Sequence, residues 1–179
     1  SIGTSMFHCD AKIVDQESGR EVEPGQVGVL CLRSPHNFDG YLHDPARTGR
    51  VIDRDGWVYT GDLAVRDQDG LVYIKGRADN MFISGGENVS PEEIEQVLMK
   101  HPAVAGAICA GVPDPQWGQA PVALVVFHAG QQVAEQELKT FCRDQLAGYK
   151  VPKHVRPAAE LPLTGAGKLN RHAVVAMFS

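Results

Sequence analysis

The sequence predicts an α+β protein in which a β-rich first part, residues 1–77, precedes a mixed α+β part, residues 78–179. Three observations support this prediction: short β-type runs between turns in the first part, two apolar strand-length runs in the second, and amphipathic helices around those runs. Hydrophobic residues make up 43% of the chain and charged residues 22%, which is typical of a folded globular protein.

The first part alternates strand-like runs and turns. AKIVD (11–15) and VGVLCLR (27–33) are typical of strands, and Pro24-Gly25 between them indicates a turn. GWVYTGDL (56–63) and LVYIKG (71–76) each begin at an Asp-Gly pair, which is the strongest short hairpin signal in the chain. No segment here has the apolar periodicity of a helix, so we predict none in this part.

The second part opens with a short strand, NMFIS (80–84), followed by a helix in VSPEEIEQVLMKHP (89–102). Ser90 is the expected N-cap, Pro91 lies in the first turn, and Glu93 is placed to complete a capping box. Together these signals predict that a helix begins at this point.

Two continuous apolar runs, VAGAICAGV (104–112) and PVALVVFH (121–128), predict central strands of a sheet. EQELKTFCRDQLAG (135–148) has one apolar face and ends at a glycine, so it predicts a helix, and LNRHAVVAMF (169–178) predicts a last short helix. A segment of this size is expected to fold alone. The change in composition along the chain places the domain boundary near Gly76-Arg77-Ala78-Asp79.

Charge and composition exclude several classes of function. The formal net charge of −5 does not favour a nucleic-acid partner, and no apolar run is long enough for a membrane span. The histidines and cysteines lack metal-ligand spacing, so we predict no metal site. Widely separated cysteines indicate free thiols and a cytoplasmic location. The sequence begins at Ser1 with an incomplete β-rich part, so we expect a piece of a longer protein.

A lysine on a glycine turn, Lys168 in LPLTGAGKLNR (161–171), invites a phosphate-binding interpretation. A phosphate-binding P-loop needs glycine where Pro162 stands and a hydroxyl residue where Leu169 stands. That interpretation therefore fails, and what remains is a lysine on a short, bendable turn. Taken alone, such a residue is more often a solvated surface lysine than a functional one.

Four blocks in order, YTGDL (59–63), GRADNMFISGGENVSPEEIE (76–95), GVPDPQWGQ (111–119) and PLTGAGKLNR (162–171), resemble the C-terminal portion of the adenylate-forming superfamily. The resemblance implies that residues 1–77 end the large AMP-binding domain and that residues 78–179 form its small mobile C-terminal domain. It also implies ATP, Mg²⁺ and coenzyme A, with the Mg²⁺ ligand in a part upstream of this chain. The expected partners are a small carboxylic acid and the rest of the large domain.

By the resemblance, Lys168 is the catalytic lysine, which stabilises the negative charge that develops when a carboxylate attacks the α-phosphate of ATP. Asp62 matches the carboxylate that accepts hydrogen bonds from the ribose hydroxyls, and Arg77 matches an arginine on the ribose or phosphate side. From the residues alone, Asp62 could instead be a turn residue and Arg77 a strand-end arginine. Acetylation of Lys168 would remove its charge, which the resemblance suggests as a regulatory switch.

Asp79 matches the hinge about which the small domain turns between the two half-reactions. The resemblance further implies that Ser84, Gly85 and Gly86 let the backbone pass close to the pantetheine of CoA, although the glycines also suit a turn before the helix. Trp117 matches an aromatic residue beside the pantetheine, or else anchors packing. YKVPK (149–153) resembles a segment whose lysines face the CoA phosphates, with Lys150 as the better candidate, or else Lys150 is a surface lysine.

The form ISGGEN within the second block resembles acyl-CoA ligases more than peptide-synthetase adenylation domains. We therefore expect an acyl-CoA synthetase of the AMP-forming type, inactive as this chain alone. An adenylation domain that loads a carrier protein, or a degenerate binding module without catalysis, are the alternatives.

Overall fold

The computed structural model describes residues 1–5 and 7–178 and divides the chain into two compact units, Ser1–Asp79 and Asn80–Ser179. The α+β prediction is confirmed, because each unit has a largely antiparallel sheet and helices lie beside both. Each unit also has a hydrophobic core of its own.

The first unit contains a four-stranded antiparallel sheet whose strands are hydrogen-bonded in chain order. The Asp69-Gly70 pair turns the chain between the last two strands, with Gly70 at φ +82°, as the hairpin prediction requires. The Asp55-Gly56 pair also makes a turn, but it joins only a single bridge between Ile52 and Val58. The strands are β1 (Asp10–Val14), β2 (Val27–Arg33), β3 (Val58–Arg66) and β4 (Val72–Arg77).

The prediction that the first part contains no helix is wrong. A short helix, α1 (Pro45–Val51), begins after Asp44, whose Oδ1 accepts a hydrogen bond from the Arg47 amide at 2.9 Å. None of its residues is buried, so no apolar periodicity marks it in the sequence. Its start depends on an Asp cap followed by proline, which periodicity does not detect.

The second unit contains a five-stranded sheet with the order β6-β5-β8-β7, and β9 pairs in parallel with β8. The prediction that both long apolar runs are central strands is correct for β8 and wrong for β7, which ends this order. β7 is apolar because its two faces are covered, not because it has two strand neighbours. The strands are β5 (Phe82–Ser84), β6 (Glu87–Val89), β7 (Val104–Asp114), β8 (Gly118–Phe127) and β9 (His154–Pro157).

Helices cover both faces of this sheet. α2 (Pro91–Leu98) and α3 (Glu135–Arg143) bury Ile94, Leu98 and Leu138 against one face, together with Cys109 of β7. α4 (Arg171–Phe178) packs Val174 on the other face, against Ile108 of β7. Ile108 and Cys109 are neighbours in one strand and therefore point to opposite faces, which gives the unit two apolar layers.

Helix boundaries differ in detail from the prediction. Ser90 is the N-cap of α2, but its side chain makes no capping hydrogen bond within the described part of the chain. Its hydroxyl donates to Glu92 Oε2 at 2.9 Å, and the Glu93 carboxylate accepts from Lys150. α3 ends before the predicted Gly148, which instead begins a short 3₁₀ turn.

Candidate functional site

Asp62 and Arg77 lie directly opposite each other on the adjacent antiparallel strands β3 and β4 of the first unit. Arg77 Nη1 lies 2.9 Å from Asp62 Oδ1 and donates at 2.9 Å to the carbonyl oxygen of Thr60. The Asp62 side chain keeps 34% of its surface exposed. The hydrogen bond from Arg77 therefore orients a carboxylate that remains accessible to a ligand.

Local sequence explains why the pair forms at this point. Gly61 has φ +75°, and a Cβ at that position would lie 3.0 Å from Arg77 Nη2, so glycine leaves room for the guanidinium. Thr60 Oγ1 accepts from the Asp62 amide at 3.0 Å and donates to Leu30 O at 2.9 Å. The hydrogen bond with Asp62 is also the main reason that the pKa of Arg77 is raised.

Asp79 lies in a 3₁₀ turn, Ala78–Asn80, at the point where the first unit ends. Its Oδ2 is 3.4 Å from Arg77 Nη2, and its side chain is largely exposed. This position at the boundary between the units suits the predicted hinge, which stays a prediction.

Lys168 lies at the end of a small, closed turn in the second unit. The Lys168 carbonyl accepts from the Thr164 amide at 2.7 Å, and the Lys168 amide donates to Thr164 Oγ1 at 3.2 Å. Gly167 has φ +75°, and Leu163 and Leu169 form an antiparallel bridge at the base of the turn. The backbone is therefore internally fixed while the lysine residue remains exposed.

A groove of about 680 Å³ opens on the second unit and includes three of the residues predicted to bind CoA: Ser84, Gly85 and Trp117. Gly86 and Lys150 do not line it. Its other walls come from the α3 helix, the 3₁₀ turn at Gly148 and the segment just before β9.

Gly85 and Trp117 form the closest contact in the groove wall. Gly85 has φ +61°, and a Cβ there would lie 2.7 Å from Trp117 Cε3. The Gly85 amide donates to the Trp117 carbonyl oxygen at 2.9 Å, next to the pairing of Ser84 with Gly118. Glycine at this position therefore lets the indole lie directly on the backbone.

Asp114 fixes the turn that carries Trp117. Its Oδ1 accepts from the amides of Gln116 at 2.9 Å and Trp117 at 3.0 Å, and its Oδ2 is 2.6 Å from Lys153 Nζ. The Asp114 side chain is only 3% exposed. The hydrogen bond from Lys153 is the main cause that lowers the pKa of Asp114, and the Trp117 amide adds to it.

We expect the stability difference between the original chain and Asp114→Asn to narrow as the pH falls. A carboxylate whose folded pKa is lowered contributes stability above its ordinary pKa of 3.8, and that contribution is lost as the pH falls through the folded value. Urea unfolding at about pH 6 and about pH 3 measures the change. The exposed Asp144→Asn is the matched control, and a difference that is independent of pH would contradict this role of Asp114.

Lys150 forms an ion pair with Glu93, and its predicted contact with CoA stays a prediction. Its Nζ is held by both carboxylate oxygens of Glu93, at 2.9 and 2.7 Å, and its side chain is 19% exposed. The ion pair joins α2 to the 3₁₀ turn that contains Lys150. The interaction fixes a wall of the groove rather than offering a free cation.

Three cations line the groove: Lys139, Arg143 and Lys153. The sequence analysis missed Lys139 and Arg143, whereas Lys153 belongs to the segment YKVPK that it singled out. Lys139 and Arg143 stand four residues apart on α3, so they share one face of that helix. Lys139 Nζ donates to the Lys153 carbonyl oxygen at 2.9 Å. The spacing on α3 was the available signal, but only the fold brings this helix face beside Trp117.

Two classes of feature were not found in residues 1–5 and 7–178. No three His, Cys, Asp or Glu side chains in these ranges are placed to hold a metal ion. None of the helices described there has both the length and the apolar character needed to cross a membrane.

Residues 1–42 match the family model described as AMP-binding enzyme, and residues 93–168 match the one described as AMP-binding enzyme C-terminal domain. The long-chain-fatty-acid–CoA ligase of Escherichia coli O157:H7 is 43% identical over 171 residues, which cover 96% of this chain. The 2-succinylbenzoate–CoA ligase of Geobacillus sp. is 41% identical over 172 residues, also 96% of the chain. The chain belongs to the adenylate-forming, AMP-binding enzymes.

A solved adenylate-forming structure agrees with this assignment. The amide bond synthetase McbA from Marinactinospora thermotolerans matches the whole chain with a TM-score of 0.93 and 35% identity. The chain covers 36% of that structure, 30% of the E. coli ligase and 34% of the Geobacillus ligase. It therefore spans about a third of the length of the adenylate-forming enzymes that it matches.

Proposed function

We propose that this chain is part of an AMP-forming acid–CoA ligase, which activates a small carboxylic acid with ATP and transfers the acyl group to coenzyme A. The observation that carries the choice of CoA is the groove of the second unit. The groove is open, and one wall is the Trp117 indole, which lies against Gly85. The cations Lys139, Arg143 and Lys153 also line it. A thin thiol arm that ends in phosphates is complementary to such a groove.

In the adenylation step, Lys168 places its ammonium group beside the α-phosphate and the incoming carboxylate. A positive charge there stabilises the transition state more than the ground state, because negative charge develops during the attack. Asp62, oriented by Arg77, accepts the hydrogen bonds of the ribose hydroxyls.

In the transfer step, the CoA thiol loses its proton to solvent and its sulfur attacks the acyl carbonyl carbon of the acyl-adenylate. The bond from that carbon to the phosphate oxygen breaks, and AMP leaves with its electrons. Ser84 and Gly85 border the path of the pantetheine in the groove, with Trp117 as its wall, and Gly86 follows them in the same turn. Lys139, Arg143 and Lys153 attract the phosphates of CoA, and we favour them over Lys150 because they line the groove and Lys150 does not. A hinge at Asp79 would let the second unit serve both steps.

ATP brings Mg²⁺ with it in this proposal. The described ranges hold no cluster of metal-ligating side chains, so the proposal assigns that ion to no residue of this chain. The remaining nucleotide and acid contacts belong to the rest of the large domain, which is the expected partner of these two units.

Amide synthesis is a second candidate, favoured by the match to the amide bond synthetase McbA. It shares the adenylation step, and an amine replaces the thiol as the nucleophile. An amine without phosphates has no use for the three cations of the groove, which is why CoA remains the preferred acceptor.

The test uses the parent protein, meaning the native polypeptide that contains this sequence. Its intact mass and its ATP–pyrophosphate exchange are measured with a panel of carboxylic acids, followed by AMP release with CoA or with amines. We expect exchange with at least one acid and AMP release that depends on CoA. A parent of 19.4 kDa without exchange would support a binding module instead. We also expect no acyl-AMP from this chain alone.

A further inference from the structure

We propose that Arg171 is a positioning residue, which ties the Lys168 turn to the first residues of the second unit. It acts through the Arg171 clamp, defined here as Arg171, Glu92, Glu95 and Asn80. The proposal rests on the proposed function, because it gives the clamp the task of aiming Lys168 in adenylation.

Arg171 bridges two carboxylates of α2. Its Nη2 lies 2.8 Å from Glu92 Oε1 and 3.2 Å from Glu95 Oε2, and its Nη1 lies 2.8 Å from Glu95 Oε1. Glu92 Oε1 also accepts from Asn80 Nδ2 at 2.6 Å. One carboxylate is therefore shared between the residue that follows Asp79 and the residue that begins α4.

Among the described residues, the clamp differs from the other ion pairs of the second unit because both partners of each of its pairs are less than a fifth exposed. The exposed fractions of its charged side chains are 17% for Arg171, 19% for Glu92 and 12% for Glu95. Glu95 is also fixed to the sheet, because its Oε1 accepts a hydrogen bond from the Cys109 amide of β7 at 2.7 Å. The guanidinium thus rests on acids that are themselves fixed to the sheet.

The position of the clamp in the chain connects it to Lys168. Arg171 follows Lys168 by three residues, and the Asn170 amide donates to Pro162 O at 2.8 Å, which closes the turn at its base. Because the turn is held together by its own hydrogen bonds, its direction is set at that base. Arg171 attaches the base to α2 and, through Glu92, to Asn80.

The contact of Arg171 with the acids depends on charge as well as on hydrogen-bond geometry. Within the described residues, its Nε and Nη1 have no hydrogen-bond acceptor, although Nη1 is close to Glu95. A lysine at this position would keep the charge but could not span both carboxylates as the planar guanidinium does. We therefore expect Arg171→Lys to restore only part of what Arg171→Met removes.

The first test measures both half-reactions in the parent protein. Arg171→Met is expected to lower adenylation about tenfold to a hundredfold, the effect of misplacing a catalytic group by about 1 Å. Thioester formation from supplied acyl-adenylate should stay near the original rate. Arg156→Met is the matched control, because Arg156 donates to the Met177 carbonyl at the other end of α4 and should leave both rates unchanged. Equal losses in both half-reactions would overturn the proposal.

The second test does not depend on activity. Amide hydrogen exchange of this chain is expected to be faster at Thr164 and Gly167 in Arg171→Met, with β7 and β8 unaffected. If the two buried acids prevent that variant from folding, Glu92→Gln and Glu95→Gln are added to remove their unpaired charge. If the amide exchange of the turn is the same in Arg171→Met as in the original chain, the proposal that the clamp positions Lys168 is wrong. A parent protein without pyrophosphate exchange would instead contradict the proposed function.

Discussion

Replacing Lys168 with alanine in the parent protein is expected to lower the rate of acyl-adenylate formation by about two to three powers of ten. The loss follows from removing one positive charge at the point where negative charge develops. Because Lys168 is exposed on a turn that closes through Thr164, the substitution should leave the fold intact. Thioester formation from supplied acyl-adenylate should remain, since the lysine serves only the first step.

Single-turnover measurements of both half-reactions test this expectation. Lys100→Ala is the matched control, because Lys100 is an exposed lysine of the same unit that does not line the CoA groove. An equal loss in both half-reactions would show that Lys168 acts on the whole second unit rather than on adenylation. An unchanged adenylation rate would remove Lys168 from the catalytic machinery.

Replacing Gly85 with alanine should affect the opposite half-reaction. The new Cβ would lie 2.7 Å from Trp117 Cε3, so the indole must move into the groove or the backbone must shift. Gly85 also has φ +61°, which alanine adopts only with strain. We expect thioester formation to fall by about a hundredfold, the effect of a small misplacement at a reacting centre, while pyrophosphate exchange is kept.

Substitution of a second glycine distinguishes the steric clash with Trp117 from the strain of placing alanine at a positive φ. Gly130 has φ +76° in a loop outside the groove, and a Cβ there meets no atom within 4 Å. Gly130→Ala should therefore destabilise the chain slightly without changing either half-reaction. If Gly85→Ala transfers the acyl group to CoA as fast as the original protein, the path of pantetheine does not pass this wall.

The sequence predicted those helices and strands whose burial or capping leaves a pattern in adjacent residues. The apolar run of β8 and the proline-marked start of α2 were readable because burial on two faces and helix capping leave a pattern in adjacent residues. α1 escaped because nothing in it is buried. β9 was not predicted, because it is short, ends at a proline, and pairs in parallel with β8, which is distant in the sequence.

The candidate site shows the same division. The motifs singled out Lys168, Asp62 and Gly85, whose local turns and glycines are visible in the sequence. Lys150 and Lys153 show why the other residues of the candidate site could not be predicted from the sequence. Both are lysines of one short segment, but Lys150 is held by Glu93 outside the groove, whereas Lys153 lines the groove and is held by Asp114. Only the fold decides which acid reaches which lysine.

The β7–β8 ladder has a consequence for the order in which the second unit folds. Its strands are joined by a short turn between Asp114 and Gly118, so little chain entropy is lost when they first meet. β9 must cross over α3 to reach β8 in parallel, which is a slower kind of contact to form. We therefore expect the hairpin to form early and the Asp114–Lys153 ion pair, together with the groove it shapes, to be completed late in folding.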